Sequence, residues 1–124
     1  TNILSNSDII SFHCKPNKDG SSIITKDEFK IMKKNCILVN TARGGLINEI
    51  DLIQVLKNKT IKGAALDVFI KEPLEESRLF NLENIILTPH IAASTDEAQI
   101  VVAEMVANQF CEYFNNNNIV NSIT

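Results

Sequence analysis

Three short apolar runs, each ending in residues fit for chemistry on a small anion, constrain this chain more than any other feature. Cys36-Ile37-Leu38-Val39 runs into Asn40-Thr41-Ala42-Arg43-Gly44-Gly45. Gly63-Ala64-Ala65-Leu66 runs into Asp67-Val68-Phe69-Ile70-Lys71-Glu72-Pro73, and Ile85-Ile86-Leu87 runs into Thr88-Pro89-His90. Short, nearly continuous apolar runs bounded by turn formers fit strands buried in a parallel sheet. In such a sheet Arg43, Glu72 and His90 all emerge at the carboxyl edge, where open α/β sheets bind their ligands.

The segments between the runs support that arrangement. Ile9-Ile10-Ser11-Phe12 reads as a further strand, followed by turn formers from His13 to Gly20. Thr25 offers an N-cap with Asp27 and Glu28 behind it, and Phe29, Ile31 and Met32 predict a short helix ending at Lys33-Lys34. From Asn48 to Lys57, Ile50, Ile53 and Leu56 recur at helical spacing. Pro73 to Leu82 reads as irregular, with one helical turn around Ser77 to Phe80. Ser94-Thr95-Asp96-Glu97 has the form of a capping box with Ser94 at the cap. Behind it Ala98, Val101, Val102, Met105, Val106, Gln109 and Phe110 predict the longest helix, which Asn115 to Asn118 should end. The expected fold is α/β, a Rossmann-like parallel sheet with flanking helices and right-handed crossovers. Four strands make half of a doubly wound sheet. Residues 1–114 are expected to form the C-terminal portion of a nucleotide-binding domain, with an Asn-rich linker or tail over 115–124.

Composition narrows the function classes. The 124 residues suffice for one domain, with 44% hydrophobic and 22% charged residues, as in soluble globular proteins. A net charge of −3 gives no basic footprint for nucleic acid. No apolar stretch reaches the roughly 20 residues of a membrane span. Cys14, Cys36 and Cys111 are odd in number and unpaired in spacing, which fits reduced cytosolic thiols better than a disulfide framework or a zinc site. No metal is expected. With no initiator Met and a strand-like run beginning near Asp8, the chain reads as a piece of a longer polypeptide, inactive and prone to self-association by itself.

Arg43 presents a planar fork matched to a carboxylate, and the following glycines let backbone approach a ligand. The alternative is a surface arginine beside a flexible turn. His90 suits proton transfer near neutral pH, and a carboxylate such as Glu72 could orient its ring. Asp67 could cap a turn or accept from a ligand amide. His13 and Cys14 could line a cofactor pocket or pack beneath a loop.

Taken together, Asn40 to Gly45, Ala64 to Phe69 with Glu72-Pro73, and Thr88-Pro89-His90-Ile91-Ala92-Ala93-Ser94-Thr95 resemble the NAD-dependent D-isomer-specific 2-hydroxyacid dehydrogenases over about Asp8 to Phe114. The resemblance implies that Arg43 holds the substrate's carboxylate and carbonyl and that His90 is the acid/base. It also implies that Glu72 pairs with His90 and sustains its protonated form. Cys14, Thr41, Ala42, Arg43, Asp67, His90, Ala92 and Ala93 would contact NAD, with Asp67 accepting from the nicotinamide carboxamide. The branch that oxidises 3-phosphoglycerate on the way to serine is nearest. Hydroxypyruvate or glyoxylate reduction is the alternative within the class, and an NAD(H)-sensing corepressor is the alternative outside it. A cytoplasmic homo-oligomer, dimeric or larger, acting on a small 2-hydroxy or 2-oxo acid is implied. Lys15 stands where the family usually has proline, Ala92 where glycine is frequent. The glycine-rich phosphate turn, G-x-G-x-x-G, is not in this sequence.

Overall fold

In the computed structural model, which describes residues 2–122, Ile9–Phe12 (β1), Ile37–Asn40 (β2), Gly63–Leu66 (β3) and Ile85–Leu87 (β4) form one parallel sheet. They lie in the order β1-β2-β3-β4, so each strand pairs with the next in sequence. The register sets Ile10 beside Leu38, Leu38 beside Ala64, and Phe12 beside Asn40 beside Leu66. Side chains alternate along a strand with period two. This register therefore collects Ile10, Phe12, Leu38, Asn40, Ala64 and Leu66 on one buried face.

Helices Lys26–Ile31 (α2) and Glu49–Lys57 (α3) supply Phe29, Leu52, Ile53 and Leu56 to the same core, joined by Leu46, Ile61 and Leu79. Phe29 alone, buried to 1% exposure, contributes about 1.5–3 kcal/mol of apolar transfer. On the opposite face Ile9 and Ile86 remain 64% and 67% exposed. The four expected strands are present, each within a residue or two of the sequence reading, and so are the helices expected on either side of β2, the first ending at Ile31, short of Lys33-Lys34.

The caps explain where the helices begin. At α2 the backbone N–H and the hydroxyl of Thr25 both donate to Glu28 Oε2, at 2.9 and 2.7 Å. At α3 the Asp51 N–H donates to Asn48 Oδ1 at 3.1 Å. Ser77 caps a 3₁₀ turn at Arg78–Asn81, which sinks Leu79 into the core. Two features lay outside the sequence reading. One is a short helix at Asn2–Asn6 (α1), and the other is a parallel bridge between Ile24 and Ile47. In the bridge the Asn48 N–H donates to the Ile24 carbonyl at 2.8 Å, which ties the start of α3 to the loop before α2.

The chain divides into two compact units, Thr1–His90 and Ile91–Thr124. The second carries the longest helix, Asp96–Asn116 (α4). Its cap is Thr95, whose Oγ1 accepts from the Ala98 N–H at 3.2 Å, not Ser94 as the capping-box pattern suggested. One residue decides this, because the hydroxyl must sit three positions before a first-turn N–H left without an intrahelical partner. Asn117, left-handed at φ 49°, closes the helix, a conformation asparagine tolerates better than most residues. No residue of α4 is buried. The helical period marks which side chains share a stripe, and burying the stripe takes a second surface. Thr1, Ile123 and Thr124, the last two belonging to the expected tail, lie outside the described residues. Among the described residues no helix is long and apolar enough to cross a membrane.

Candidate active site

The parallel order places the ends of all four strands at one edge, and the turns leaving that edge carry the candidate residues. His13 and Cys14 follow β1 and are exposed, with His13 Nε2 and Ser11 Oγ sharing a hydrogen bond of 2.9 Å. They do not pack beneath a loop.

The turn after β2 is shaped by Asn40. This residue is in phase with Leu38 on the buried face and only 2% exposed. Its Oδ1 accepts from the Ala42 N–H at 3.1 Å and its Nδ2 donates to the Arg43 carbonyl at 2.9 Å. A buried amide satisfied in this way fixes the turn, because leaving either group unpaired would cost about 1–3 kcal/mol. Thr41 and Arg43 are exposed and Ala42 is half-buried. The Arg43 guanidinium donates through Nη1 to the carbonyl of Ala42 at 2.7 Å.

The turn after β3 brings the carboxylates. Asp67 is 3% exposed; the Thr88 hydroxyl donates to its Oδ1, and its own N–H donates to the Asn40 carbonyl at 2.9 Å. Glu72 follows, with its Oε1 accepting from the Phe69 N–H at 2.8 Å. Its Oε2 lies 2.7 Å from His90 Nδ1. A carboxylate can only accept, so Nδ1 carries the proton of that bond and Nε2 is the ring nitrogen left for exchange with a ligand. The bond to His90, and then the Phe69 amide, hold the Glu72 carboxyl below the usual carboxylate range, with the negative charge of Asp67 working the other way. Glu72 is therefore ionised above the ordinary carboxylate range, with its Oε2 facing the Nδ1 of His90. His90 itself sits at φ 56°, a left-handed conformation that costs a non-glycine residue about 1–2 kcal/mol. Such strain persists where surrounding contacts over-determine it.

Beside the pair lies a cavity of about 500 Å³ walled by Phe69, Leu74, Phe80 and Leu87 together with Glu72 and His90. Arg43 is not among the residues lining this cavity. The turns of Arg43 and Glu72 nevertheless touch through backbone. A Cβ on Gly44 would fall 1.9 Å from the Phe69 carbonyl oxygen and 2.9 Å from the Ile70 nitrogen, so only glycine fits there. The Ile70 N–H in turn donates to Oε1 of Glu49 at 2.9 Å.

The structure thus joins Glu72 to His90 and leaves the Arg43 side chain folded onto its own turn. Ala92 and Ala93 fall in the second unit and are exposed, with the Ala93 carbonyl accepting from Gln99 Nε2 at 2.6 Å. The sequence reading missed Asn40 and Thr88 as organising residues. The available signal was a polar residue in register with the buried face for Asn40, and a hydroxyl at the strand end neighbouring Asp67 for Thr88.

A parallel sheet with a hydrogen-bonded carboxylate and histidine at its carboxyl edge fits an α/β protein of the nucleotide-binding type. Residues 1–92 match the family described as D-isomer specific 2-hydroxyacid dehydrogenase, NAD binding domain, and the chain belongs to that family. A glyoxylate reductase of Thermococcus litoralis is 45% identical over 105 residues, which cover 85% of this chain and 32% of that protein. A D-3-phosphoglycerate dehydrogenase of Synechocystis sp. is 43% identical over 107 residues, 86% of this chain and 19% of that protein. The chain spans about a fifth to a third of the length of these relatives. Among solved structures, an acyclic imino acid reductase in complex with NADPH and D-Arg superposes with a TM-score of 0.83 at 33% identity, covering 99% of this chain and 39% of that one. A glyoxylate reductase from Paecilomyes thermophila gives 0.83 at 31% identity, covering 98% and 37%.

The residues present fit the nicotinamide end of the cofactor. A carboxamide offers N–H donors and one acceptor oxygen, and the edge supplies a buried carboxylate at Asp67 and short side chains at Thr41 and Ala42. The pyrophosphate end needs a glycine-rich turn that this sequence does not contain.

Proposed function

We propose that this chain supplies the nicotinamide-facing, proton-transferring part of an NAD-dependent dehydrogenase acting on D-2-hydroxy acids. The observation that carries the reading is the 2.7 Å bond between Glu72 and His90 at the carboxyl edge of the sheet. When bound, the nicotinamide supplies hydride chemistry, and the protein supplies position and charge. His90 gives a proton from Nε2 to the substrate carbonyl oxygen on reduction and takes it from the hydroxyl on oxidation. Glu72, anchored at both oxygens, keeps the Nδ1 proton in place and the ring aimed. Arg43 turns from the Ala42 carbonyl to grip the substrate carboxylate, because its fork matches two oxygens at once. Asp67 accepts from the carboxamide, while Cys14, Thr41, Ala42, Ala92 and Ala93 contact the cofactor through backbone or short side chains.

Within the class, 3-phosphoglycerate is the proposed substrate, supported by the D-3-phosphoglycerate dehydrogenases of Synechocystis sp. and Methanocaldococcus jannaschii at 43% and 46% identity. Glyoxylate reduction is the second reading, favoured by the 45% identity to the Thermococcus litoralis enzyme. The same reading makes residues 1–114 the later part of a cofactor domain, residues 115–124 a linker, and the whole a cytoplasmic homo-oligomer. The test is nicotinamide-linked turnover of a subunit containing this chain, with 3-phosphoglycerate and NAD against glyoxylate and NADH. Turnover abolished by His90→Gln supports the site. Turnover equal to wild type in that variant removes it, and the preferred substrate decides between the two readings.

A further inference from the structure

Ile70 lies midway through the turn that carries Glu72, yet its side chain is 65% exposed and anchors nothing by burial. Lys71, next in the chain, is exposed as well. The turn is held instead through its backbone. The Phe69 N–H donates to Glu72 itself, Gly44 abuts the Phe69–Ile70 peptide, and the Ile70 N–H donates to Oε1 of Glu49. Glu49 is the first residue of α3, and its own position is fixed from both sides. The preceding Asn48 donates its N–H to the Ile24 carbonyl, and the following Asp51 accepts from the Lys26 N–H at 2.9 Å. Glu49 thus connects the capped start of α3 to the Phe69–Ile70 peptide of the Glu72 turn, which itself abuts Gly44 of the Arg43 turn.

We infer that Glu49 is a positioning residue for the Glu72–His90 pair, acting by clamping the Ile70 amide so that Glu72 meets His90 in one geometry. The inference rests on the reading of that pair as the proton-transferring site, and it assigns Glu49 no contact with substrate or cofactor. The length of the side chain should matter more than its charge. Glutamine keeps an acceptor oxygen at the same reach, whereas aspartate keeps the charge at the helix start but falls one methylene short of Ile70.

The experiment is NMR on the whole chain as wild type, Glu49→Gln and Glu49→Asp, following hydrogen exchange of the Ile70 amide and the titration of the Glu72 side-chain carboxyl. Glu49→Asp should exchange Ile70 about tenfold faster, the loss of one net hydrogen bond. It should also raise the Glu72 titration toward the ordinary carboxylate range, while Glu49→Gln stays close to wild type in both. Uniform loss of stability would speed exchange throughout the unit without moving the Glu72 titration selectively, so a merely structural role is told apart. If the Glu72 titration is depressed in wild type and indifferent to both substitutions, Glu49 has no positioning role and the pair stands. If the Glu72 titration in wild type is ordinary and unaffected by His90→Gln, the reading of the pair itself fails.

Discussion

The turns after β2 and β3 leave the same sheet edge, yet they are built to different degrees of completion. After β3 the functional side chain is tied at both oxygens, Glu72 to the Phe69 amide and to His90. After β2 only the backbone is fixed, by the buried Asn40, while the Arg43 guanidinium rests on a carbonyl of its own turn. The difference follows from chemistry. On the proposed reading, a proton-transfer pair needs its partner permanently in place, and the Glu72–His90 bond provides it. On the same reading a substrate clamp finds its partner only in the substrate carboxylate, and a long exposed arginine can swing to meet it.

That contrast sets the expected consequences of mutation. His90→Gln removes the proposed proton donor and should cost about 10²–10⁴-fold in turnover with the fold retained, measured as kcat beside thermal unfolding. Arg43→Ala should lower kcat/KM about a hundredfold through lost charge-assisted bonds to substrate. Its unfolding free energy should stay within about 0.5 kcal/mol of wild type, because the side chain is exposed. Equal losses of stability and activity there would mean that Arg43 is structural. Gly44→Ala attacks the contact between the two turns, where the added Cβ meets the Phe69 carbonyl at 1.9 Å. Denaturant unfolding should show a loss of about 2 kcal/mol, and wild-type stability would deny the close approach. Smaller still, Thr95→Ala in the other unit should weaken the start of α4 by about 1 kcal/mol in local hydrogen exchange, and unchanged protection there would deny the cap.

The pH dependence has a definite sign. Glu72 has its folded-state pKa lowered, so the stability it contributes is fully present above the ordinary carboxylate range. It is lost as pH falls through the lowered value, where the carboxylate protonates and the bond to His90 weakens. The group is part exposed, so the effect is small. Stability curves of wild type and Glu72→Gln should converge at acid pH and separate above it, and parallel curves would contradict the pairing.

Much of this was legible in the sequence because parallel strands leave near-continuous apolar runs and helices leave caps. Ile37 to Asn40 and Thr25 with Glu28 show both signals. The pairing of Glu72 with His90 was legible through the order of the turns, which the sheet topology brings to one edge. The clamp from Glu49 to Ile70 was not, since it joins residues 21 apart through a backbone amide that no side-chain pattern reports. The cap of α4 shifted by one residue because Ser94 and Thr95 are both competent hydroxyls, and local geometry alone selects between them. The lack of burial along α4 was illegible for a different reason. Val101, Val102, Met105 and Val106 carry the pattern of a packed helix, and pattern does not say whether a surface meets it.

The most direct test of the central claim is the carboxyl-carbon titration of Glu72 in the native chain and in His90→Gln. The account predicts a Glu72 titration below the ordinary carboxylate range that rises when His90 is replaced. Identical titrations in the two proteins would mean that Glu72 and His90 do not act as a pair, and the proposed proton-transfer site would fall with them.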